Sequence, residues 1–425
     1  MQLFHFQQQI KILSAIKSKF FFLVLLFVSL TLAGISLGHE AKEKQAVTAA
    51  ETNYQKCLAA HKKGKDKEAL PYCRKAVELE PDNPEYLTTI AVILANIGQV
   101  PKGAEYMQKA LAINLRVLGS EHPRVARDHI WVGKGFMMLG KYNMAREHFK
   151  LALASDLKNF GEEDLRVARD RTFLGNLFQA TGMYKKAIGF YELSLATYLK
   201  MCGKENPHVA TGWSSLGLAW SSLGKHEKAI NYLEKALASD LKSYGKEHYK
   251  VASDWGNLGT VLFESGDYDK AKKYLQLALE SNIKIYGKDD DIVALNRNNL
   301  GAVLVELGKY QEAFYHLKLA LQSNIKNYDR DHPKVASVWF NLGNLYHKKG
   351  ENKKALEYYQ LSLKSNLKTY GKKSLSVARD KINIADTLMW LGEFEQVMPY
   401  LQEALDVYMN TLGPNHPETI SCKKG

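Results

Sequence analysis

The chain has 425 residues, a net charge of +13 at pH 7, 46% hydrophobic residues and four cysteines. A chain of this length usually forms two or three domains, but an internal repeat overrides that expectation, because each repeat buries its apolar face only against its neighbours. The basic charge allows weak polyanion binding. Since no aromatic platform and no nucleic-acid motif accompany it, we expect no specific nucleic-acid partner.

Residues 1–38 form a predicted export segment. Lys11, Lys17 and Lys19 precede residues 20–38, which carry no charge. That run is long enough to span a membrane and to associate the chain with it, and its basic start and small-residue end also fit a cleaved signal peptide. A buried first helix is disfavoured, because nothing polar interrupts the run. Either export interpretation places the repeats on the non-cytoplasmic side, which is periplasmic or extracellular in a bacterium.

Residues 50–419 repeat one pattern. After a spacer at 39–49, repeats start at residues 50, 84, 126, 168, 210, 252, 294, 336 and 378, and residues 420–425 form a tail. The first repeat has 34 residues and each of the others has 42. A fixed period of this size predicts a repeat architecture.

Each long repeat predicts two helices. With Ala294 as position 1, apolar or small residues are expected at positions 4, 7, 8 and 11 of a first helix. Gly308 at position 15 predicts a left-handed cap, and a second helix opens near Tyr310. Small residues recur at positions 8, 20 and 27. We expect the two helices to approach closely there, because larger side chains would overpack the contact.

The pattern of a small residue at position 8, glycine at 15, an aromatic residue at 17 and alanine at 20 and 27 resembles the tetratricopeptide repeat. The 42-residue length, with the series VA…NLG…LGxY…A…AL…YG…HP, resembles the longer repeats of the kinesin light chain family over roughly residues 50–419. This resemblance implies an all-α fold, a right-handed superhelical solenoid of antiparallel helix pairs with about nine repeats.

The face opposite the core stripe carries positions 2, 6, 9 and 13, and such faces align into a concave groove in an array. An amide can bond the main chain of an extended peptide, while neighbouring pockets select its side chains. The kinesin light chain resemblance implies this role for the asparagines at position 6. The alternative, that these amides bond the next helix and hold the array together, stays open. Asparagines fill position 6 in four successive repeats and position 9 in two: Asn257, Asn299, Asn341 and Asn383, then Asn176 and Asn344.

Earlier repeats carry a different set at the same positions. Trp131 and Phe173 occupy position 6, Arg127 and Arg169 occupy position 2, and Lys134 occupies position 9. Arginine pairs carboxylates with two hydrogen bonds and aromatic residues anchor interfaces. This end is therefore predicted to suit an acidic or aromatic-bearing segment.

Two further charge patterns recur. The VARD sequence, as in Arg169–Asp170, predicts ion pairs between repeats that contribute little individually. A lysine also recurs near the end of each second helix, and this row could attract an anionic membrane or polymer. The pattern favours a solvated face instead. The lysines are Lys158, Lys200, Lys242, Lys284, Lys326 and Lys368.

Cys57 and Cys73 lie on the two facing helices of the first repeat. An oxidising compartment would allow a disulfide between them, but the strict geometry of a bridge favours two small buried thiols. The last repeat is the least regular, since Val397 replaces the alanine at position 20 and Pro399 would weaken the first turns of the second helix. No further helix is predicted in the tail.

No motif for catalysis, a metal or a cofactor is present. Loop histidines such as His122 and His332 lie in different repeats, too far apart to share a metal. We therefore expect an interaction scaffold, not an enzyme, that binds an extended peptide or partner protein in its groove outside the cytoplasm. The alternative is a structural subunit of an envelope or membrane-associated complex that uses its convex face and C-terminal end.

Overall fold

The computed structural model describes residues 47–411, 413–414 and 417–424. The predicted export segment lies outside these residues, so its two interpretations remain predictions. Within the described ranges, no helix combines the length and apolar character needed to cross a membrane. The chain divides into two compact units, Met1–Leu177 and Phe178–Gly425.

Unit 1 consists of helices joined by short turns. The described part of its first helix covers residues 47–62, and the last helix continues into the first residues of unit 2. The helices are α1 (47–62), α2 (Asp66–Leu79), α3 (Pro84–Asn96), α4 (Val100–Leu118), α5 (Pro123–Met138), α6 (Tyr142–Phe160) and α7 (Leu165–Ala180).

Unit 2 continues the same helical pattern. A short 3₁₀ turn at Phe394–Gln396 separates two of its last helices. The helices are α8 (Tyr184–Cys202), α9 (Pro207–Ser222), α10 (His226–Tyr244), α11 (Tyr249–Glu264), α12 (Tyr268–Tyr286), α13 (Asp291–Glu306), α14 (Tyr310–Asn327), α15 (Pro333–Lys348), α16 (Asn352–Tyr370), α17 (Leu375–Leu391), α18 (Val397–Thr411) and α19 (Pro417–Lys424).

Helices that follow each other in the chain pack in pairs within each unit, as α5 does with α6 and α13 with α14. No strand occurs among the described residues. The predicted all-α repeat solenoid is therefore confirmed. Within each unit the apolar core continues from one pair to the next, because second helices also pack against the first helix of the following pair, as α4 does against α5 and α12 against α13.

Local sequence explains where the helices begin and end. The side chains of Asn206, Asp290 and His332 accept a hydrogen bond from the backbone N–H two residues further on, at the start of α9, α13 and α15. Gly308 has φ +70°. The predicted left-handed cap between α13 and α14 is thus confirmed, and the turn needs glycine because a Cβ would be strained there.

The small residue at position 8 lets the two helices of a pair approach. A Cβ added to Gly301 would lie 2.6 Å from Leu317 Cγ and 2.7 Å from Leu317 Cδ2. Ala313 and Ala320, at positions 20 and 27, are fully buried in the same contact. The close approach expected from the sequence is therefore present in this repeat.

Position 4 corrects the expectation of an apolar or small residue. In α13 it is Arg297, which is buried and donates a hydrogen bond from Nη1 to the Lys288 carbonyl oxygen at 3.0 Å. Arg171 in α7 makes the same bond to the Glu162 carbonyl oxygen at 3.1 Å. The arginine is accommodated because its long side chain crosses the core and its charged end meets a loop carbonyl.

The first repeat corrects a second expectation. Cys57 of α1 and Cys73 of α2 are joined by a disulfide, with their Cα atoms 5.3 Å apart, where the sequence favoured two free thiols. The close packing of the helix pair brings these two positions within the ordinary Cα separation of a bridge. Cys202 and Cys422 are free.

The last repeat begins its second helix late. The 3₁₀ turn replaces the usual first turn, so Pro399 falls in the first turn of α18, where its missing N–H has no helical partner to lose. Val397, which replaces the alanine, is buried.

The expectation that no further helix follows was wrong: α19 is a further helix, and it packs against α18. α19 starts at Pro417, as other first helices start at a proline.

Candidate functional site

A cavity of about 300 Å³ opens in unit 2 among α11, α12 and α13. Two of the predicted position-6 amides, Asn257 and Asn299, line it from adjacent first helices. Thr260 lies beside them, one helical turn beyond Asn257. The repeat register thus brings amides from neighbouring repeats to one surface, since equivalent positions of stacked helices face the same way.

The rim of this cavity is apolar. Leu295 is 54% exposed and Tyr249 is 51% exposed, and Tyr286 and Ile292 are also exposed. Large apolar side chains left in water beside a concave surface are typical of binding sites. The cavity therefore combines polar groups on its wall with apolar surface at its edge.

Asn257 and Asn299 differ in their bonding. The side chain of Asn257 makes no hydrogen bond to any described residue, and it is not sealed from solvent. Asn299 donates from Nδ2 to the Thr260 hydroxyl at 3.4 Å, a long bond that leaves its carbonyl oxygen and second N–H available. Both amides can therefore still bond a ligand in the cavity.

The other two position-6 amides are used within the protein. Asn341 Nδ2 donates to Asn298 Oδ1 of the preceding repeat at 3.0 Å. Asn383 Nδ2 donates to the carbonyl oxygen of Arg379 in its own helix at 2.9 Å. The alternative of a structural amide thus describes Asn341, while Asn257 fits the role of a free groove amide.

The two position-9 asparagines also lie half-buried on first helices, Asn176 on α7 and Asn344 on α15. Asn344 Oδ1 accepts a hydrogen bond from the Tyr359 hydroxyl at 2.7 Å, which ties it to the second helix of its own repeat. The structure does not bring these two residues to the cavity of Asn257 and Asn299.

Sequence reasoning missed most of the cavity rim. Tyr249 and Ile292 belong to the turns that start α11 and α13, and Tyr286 ends α12. Their signal in the sequence was the presence of large apolar residues at the ends of helices, where solvent-exposed polar residues are more usual. Periodicity within one helix could not reveal them, because they come from three different elements.

Unit 1 brings together three of the residues predicted for its earlier repeats. The Lys134 ammonium lies 4.2 Å from the Trp131 ring centroid and 5.6 Å from the Phe173 ring centroid, a cation–π arrangement. Burial lowers the pKa of Lys134. Trp131 and Lys134 also line a cavity of about 110 Å³ together with Met138.

The two arginines of that set have different surroundings. Arg169 donates from Nη2 to Asp170 Oδ1 at 2.9 Å and to Asp156 Oδ2 at 3.3 Å. It therefore makes the predicted ion pair between repeats, and its guanidinium is occupied by these two carboxylates. Arg127 is exposed and forms no ion pair with the described residues, so its guanidinium remains accessible to solvent.

The lysine row is occupied by contacts between repeats. Lys158 pairs with Glu121 at 2.6 Å, and Lys326 pairs with Asp289 at 2.7 Å. Lys242, Lys284 and Lys368 also pair with Glu205, Glu247 and Asp331, each acidic residue preceding its lysine by 37 positions. Because these lysines are already neutralised, the favoured interpretation of a solvated face fits better than a surface that attracts polyanions.

Among the residues described, no group of three or more His, Cys, Asp or Glu side chains could hold a metal ion.

Comparison with known proteins agrees with the fold. One tetratricopeptide repeat model matches more than half of the chain, and two others match the ends of the array. The matches cover residues 128–200, 208–284, 251–326 and 290–368 with the first model, 85–124 and 381–418 with the second, and 50–83 with the third. No curated protein matches the sequence significantly.

Solved structures of similar fold have low sequence identity to this chain. A Rap protein complexed with competence and sporulation factor has a TM-score of 0.57 and 15% identity, covering 87% of this chain and 98% of that one. The apo form of RapI has a TM-score of 0.54 and 17% identity, covering 71% and 99%. A protein from Podosopora anserina with kinesin light chain nearly identical TPR-like repeats has a TM-score of 0.43 and 21% identity, covering 48% and 97%.

At these identities the solved structures agree in fold alone, whereas the repeat models match the sequence itself over most of the array. The chain therefore belongs to the tetratricopeptide repeat family of protein-interaction scaffolds.

Proposed function

We propose that this protein is a scaffold outside the cytoplasm that binds an extended peptide segment of a partner protein in the amide-lined cavity of unit 2. The observation that carries the proposal is the pairing of Asn257 and Asn299 on one wall with the exposed apolar rim of Tyr249 and Leu295.

This arrangement matches the chemistry of an extended peptide. Free amides can bond main-chain N–H and C=O groups without selecting a sequence, and apolar surface beside them selects side chains. A volume of about 300 Å³ accommodates a few side chains, which is the lower end of ordinary ligand sites. The Rap protein of similar fold is complexed with competence and sporulation factor, and that complex agrees with a binding role for arrays of this kind.

The location outside the cytoplasm is supported by two features. Residues 1–38 carry the predicted export segment, and Cys57 and Cys73 form a disulfide, which persists in oxidising compartments and is rare in the cytosol. To test the location, free thiols are alkylated during lysis of the native source. Recovery of Cys57 and Cys73 as a disulfide, with Cys202 alkylated, supports export, whereas alkylation of all three contradicts it.

The binding proposal is tested with the full chain and a displayed library of random peptides. The affinity of a selected peptide is measured by calorimetry for the wild type and for the double variant Asn257→Ala/Asn299→Ala. Each lost hydrogen bond is expected to weaken binding about two- to tenfold. Asn231→Ala, which removes an exposed amide from the second helix α10, is the matched control and is expected to bind like the wild type. Equal affinity of the double variant, or a library that yields no binder, contradicts the proposal.

A second candidate, a structural subunit that docks through the C-terminal repeat, is favoured by one observation. Trp390, Phe394 and Met398 are 70%, 68% and 66% exposed at the turn between α17 and α18. Large exposed apolar side chains that recur within one short stretch of sequence are typical of interaction surfaces. If Trp390→Ala abolishes partner binding while the double asparagine variant retains it, this second candidate replaces the first.

A further inference from the structure

Buried polar side chains meet at the contacts between successive repeats. Two repeat positions are involved. Position 31 lies near the end of the second helix of one repeat, and position 3 lies near the start of the first helix of the next repeat. In three junctions an amide at position 31 donates to an oxygen at position 3, at 2.6, 2.7 and 2.7 Å: Asn114 to Asp128, Asn282 to Asn296, and Asn366 to Asp380. The hydrogen bond of such a pair needs no added proton, although burial raises the pKa of Asp128 and raises that of Asp380 to about 6.

Two junctions carry aspartate at both positions. Asp156 and Asp170 interact in unit 1, and Asp240 acts electrostatically on Asp254 in unit 2. All four are buried, with 1%, 0%, 5% and 4% of their surface exposed. One oxygen of each, Asp156 Oδ1, Asp170 Oδ2, Asp240 Oδ1 and Asp254 Oδ2, has no hydrogen-bond partner within the described part of the chain.

Two ionised carboxylates cannot satisfy each other, because each is only an acceptor. A proton on one of them turns it into a donor, and it also removes the repulsion between two buried like charges. The aspartate pairs therefore need a proton that the asparagine–aspartate pairs do not need.

The surrounding charges compensate the two pairs differently. Arg169 contacts both carboxylates of the first pair, and Arg166 and Asp164 also act on it. Among the described residues, no arginine acts on the second pair. Asp254 accepts a hydrogen bond from the Ser214 hydroxyl at 2.9 Å, and Lys250 and His248 are the charged groups that act on the pair. Burial is the largest influence in both pairs, and it raises the pKa of Asp170 and of Asp254 to about 7.

We propose that each aspartate pair, Asp156–Asp170 and Asp240–Asp254, holds one shared proton, and that loss of this proton loosens its repeat junction, so that the contribution of each pair to stability is greater in acid than in alkali.

The direction in which pH changes the stability contribution of these pairs follows from proton linkage. A carboxyl whose pKa is raised in the folded state takes up a proton on folding, so its contribution to stability is greatest in acid and is lost as the pH rises through about 7. The contacting pair of buried His129 and half-buried His148 acts in the opposite direction, since desolvation lowers the pKa of both and protonation in acid opposes folding. Because every variant keeps these histidines, the test compares variants and not the absolute pH profile.

The chain supplies matched substitutions. Asp156→Asn and Asp240→Asn convert the acid pairs into the asparagine–aspartate pair found at Asn114–Asp128. Asn366→Asp creates a new acid pair with Asp380, whereas Asn282→Asp faces Asn296 and creates none. Protonated carboxyl groups are counted in the full chain by their infrared absorption, titrated between about pH 5 and about pH 9. Unfolding midpoints at about pH 6 and about pH 8 are measured in parallel.

The expected result is that Asp156→Asn/Asp240→Asn has about two fewer protonated carboxyls near pH 6 than the wild type, with a smaller fall in the midpoint between the two pH values. Asn366→Asp should gain about one protonated carboxyl, and its unfolding midpoint should fall more between the two pH values than that of the wild type. Asn282→Asp should show neither change. The same count in wild type and double variant overturns the proposal. If the double variant does not fold, the proposal is overturned when Asn366→Asp and Asn282→Asp show the same count of protonated carboxyls and the same fall in unfolding midpoint.

Discussion

Asn341 donates a hydrogen bond from its side-chain nitrogen to Asn298 Oδ1, 3.0 Å away, across the contact between the first helices α13 and α15. Asn298 is 5% exposed, so its carbonyl oxygen has little access to water. Asn257, at the same repeat position as Asn341, has no such partner among the described residues. One row of asparagines thus contains both a structural amide and an amide free to bind.

This difference predicts that substitution by alanine destabilises the protein at Asn341 but not at Asn257. Asn341→Ala leaves the buried Asn298 oxygen unpaired and is expected to lower the free energy of unfolding by about 1–3 kcal/mol. Asn257→Ala removes no internal bond and is expected to change it by less than about 0.5 kcal/mol. Urea unfolding of both variants measures this. Equal stability of the two would show that the Asn341 bond contributes nothing.

The close approach at position 8 gives a second prediction. Gly301→Ala places a Cβ 2.6 Å from the buried Leu317 and is expected to destabilise by about 1–3 kcal/mol. Gly189 lies in the exposed middle of α8 with no heavy atom within 4 Å of an added Cβ. Gly189→Ala should therefore stabilise by about 0.5–1 kcal/mol, since alanine is the better helix former. Thermal unfolding compares the two, and a stabilising Gly301→Ala would contradict the packing argument.

The disulfide predicts a local effect of reduction. Cys57 and Cys73 are 16 residues apart, and closing a loop of that size stabilises by about 3 kcal/mol in the chain-entropy description. A reductant should therefore increase hydrogen exchange in α1 and α2. The double variant Cys57→Ser/Cys73→Ser should lose this response, while Cys202→Ser should keep it. Unchanged exchange in α1 and α2 on reduction would show that helix packing alone holds the first repeat.

The ion pairs along the second helices should contribute little. Lys326 and Asp289 are 66% and 69% exposed, and exposed pairs typically contribute about 0–1 kcal/mol. Lys326→Ala is expected to shift the free energy of unfolding within this range, with the shift shrinking as salt is added. A loss above about 2 kcal/mol would mean that these contacts hold the repeats together.

Features that depend on contacts within a single repeat could be predicted from the sequence. Gly301 and Gly308 could be interpreted because the helix contact and the turn that require them lie within a single helix pair. The free state of Asn257 and the bonded state of Asn341 could not be separated, because each depends on the residue that the preceding repeat presents.

The acid pairs were missed for the same reason. Asp156 and Asp170 lie in SDLK and VARD, which look like solvent-exposed ends of helices. Only the stacking of α6 against α7 buries them together. The signal available in the sequence was the joint variation of positions 31 and 3 from repeat to repeat, as in Asn282 with Asn296 and Asp240 with Asp254.

The central claim is that a peptide lies in the cavity of Asn257 and Asn299. It is tested most directly by placing a photoreactive amino acid at Leu295, on the cavity rim, and separately at Tyr315, which is 61% exposed on the second helix α14. The account predicts that a peptide selected on the full chain crosslinks from Leu295 and not from Tyr315. Crosslinking from Tyr315 alone would contradict it and place the binding site on the second helices.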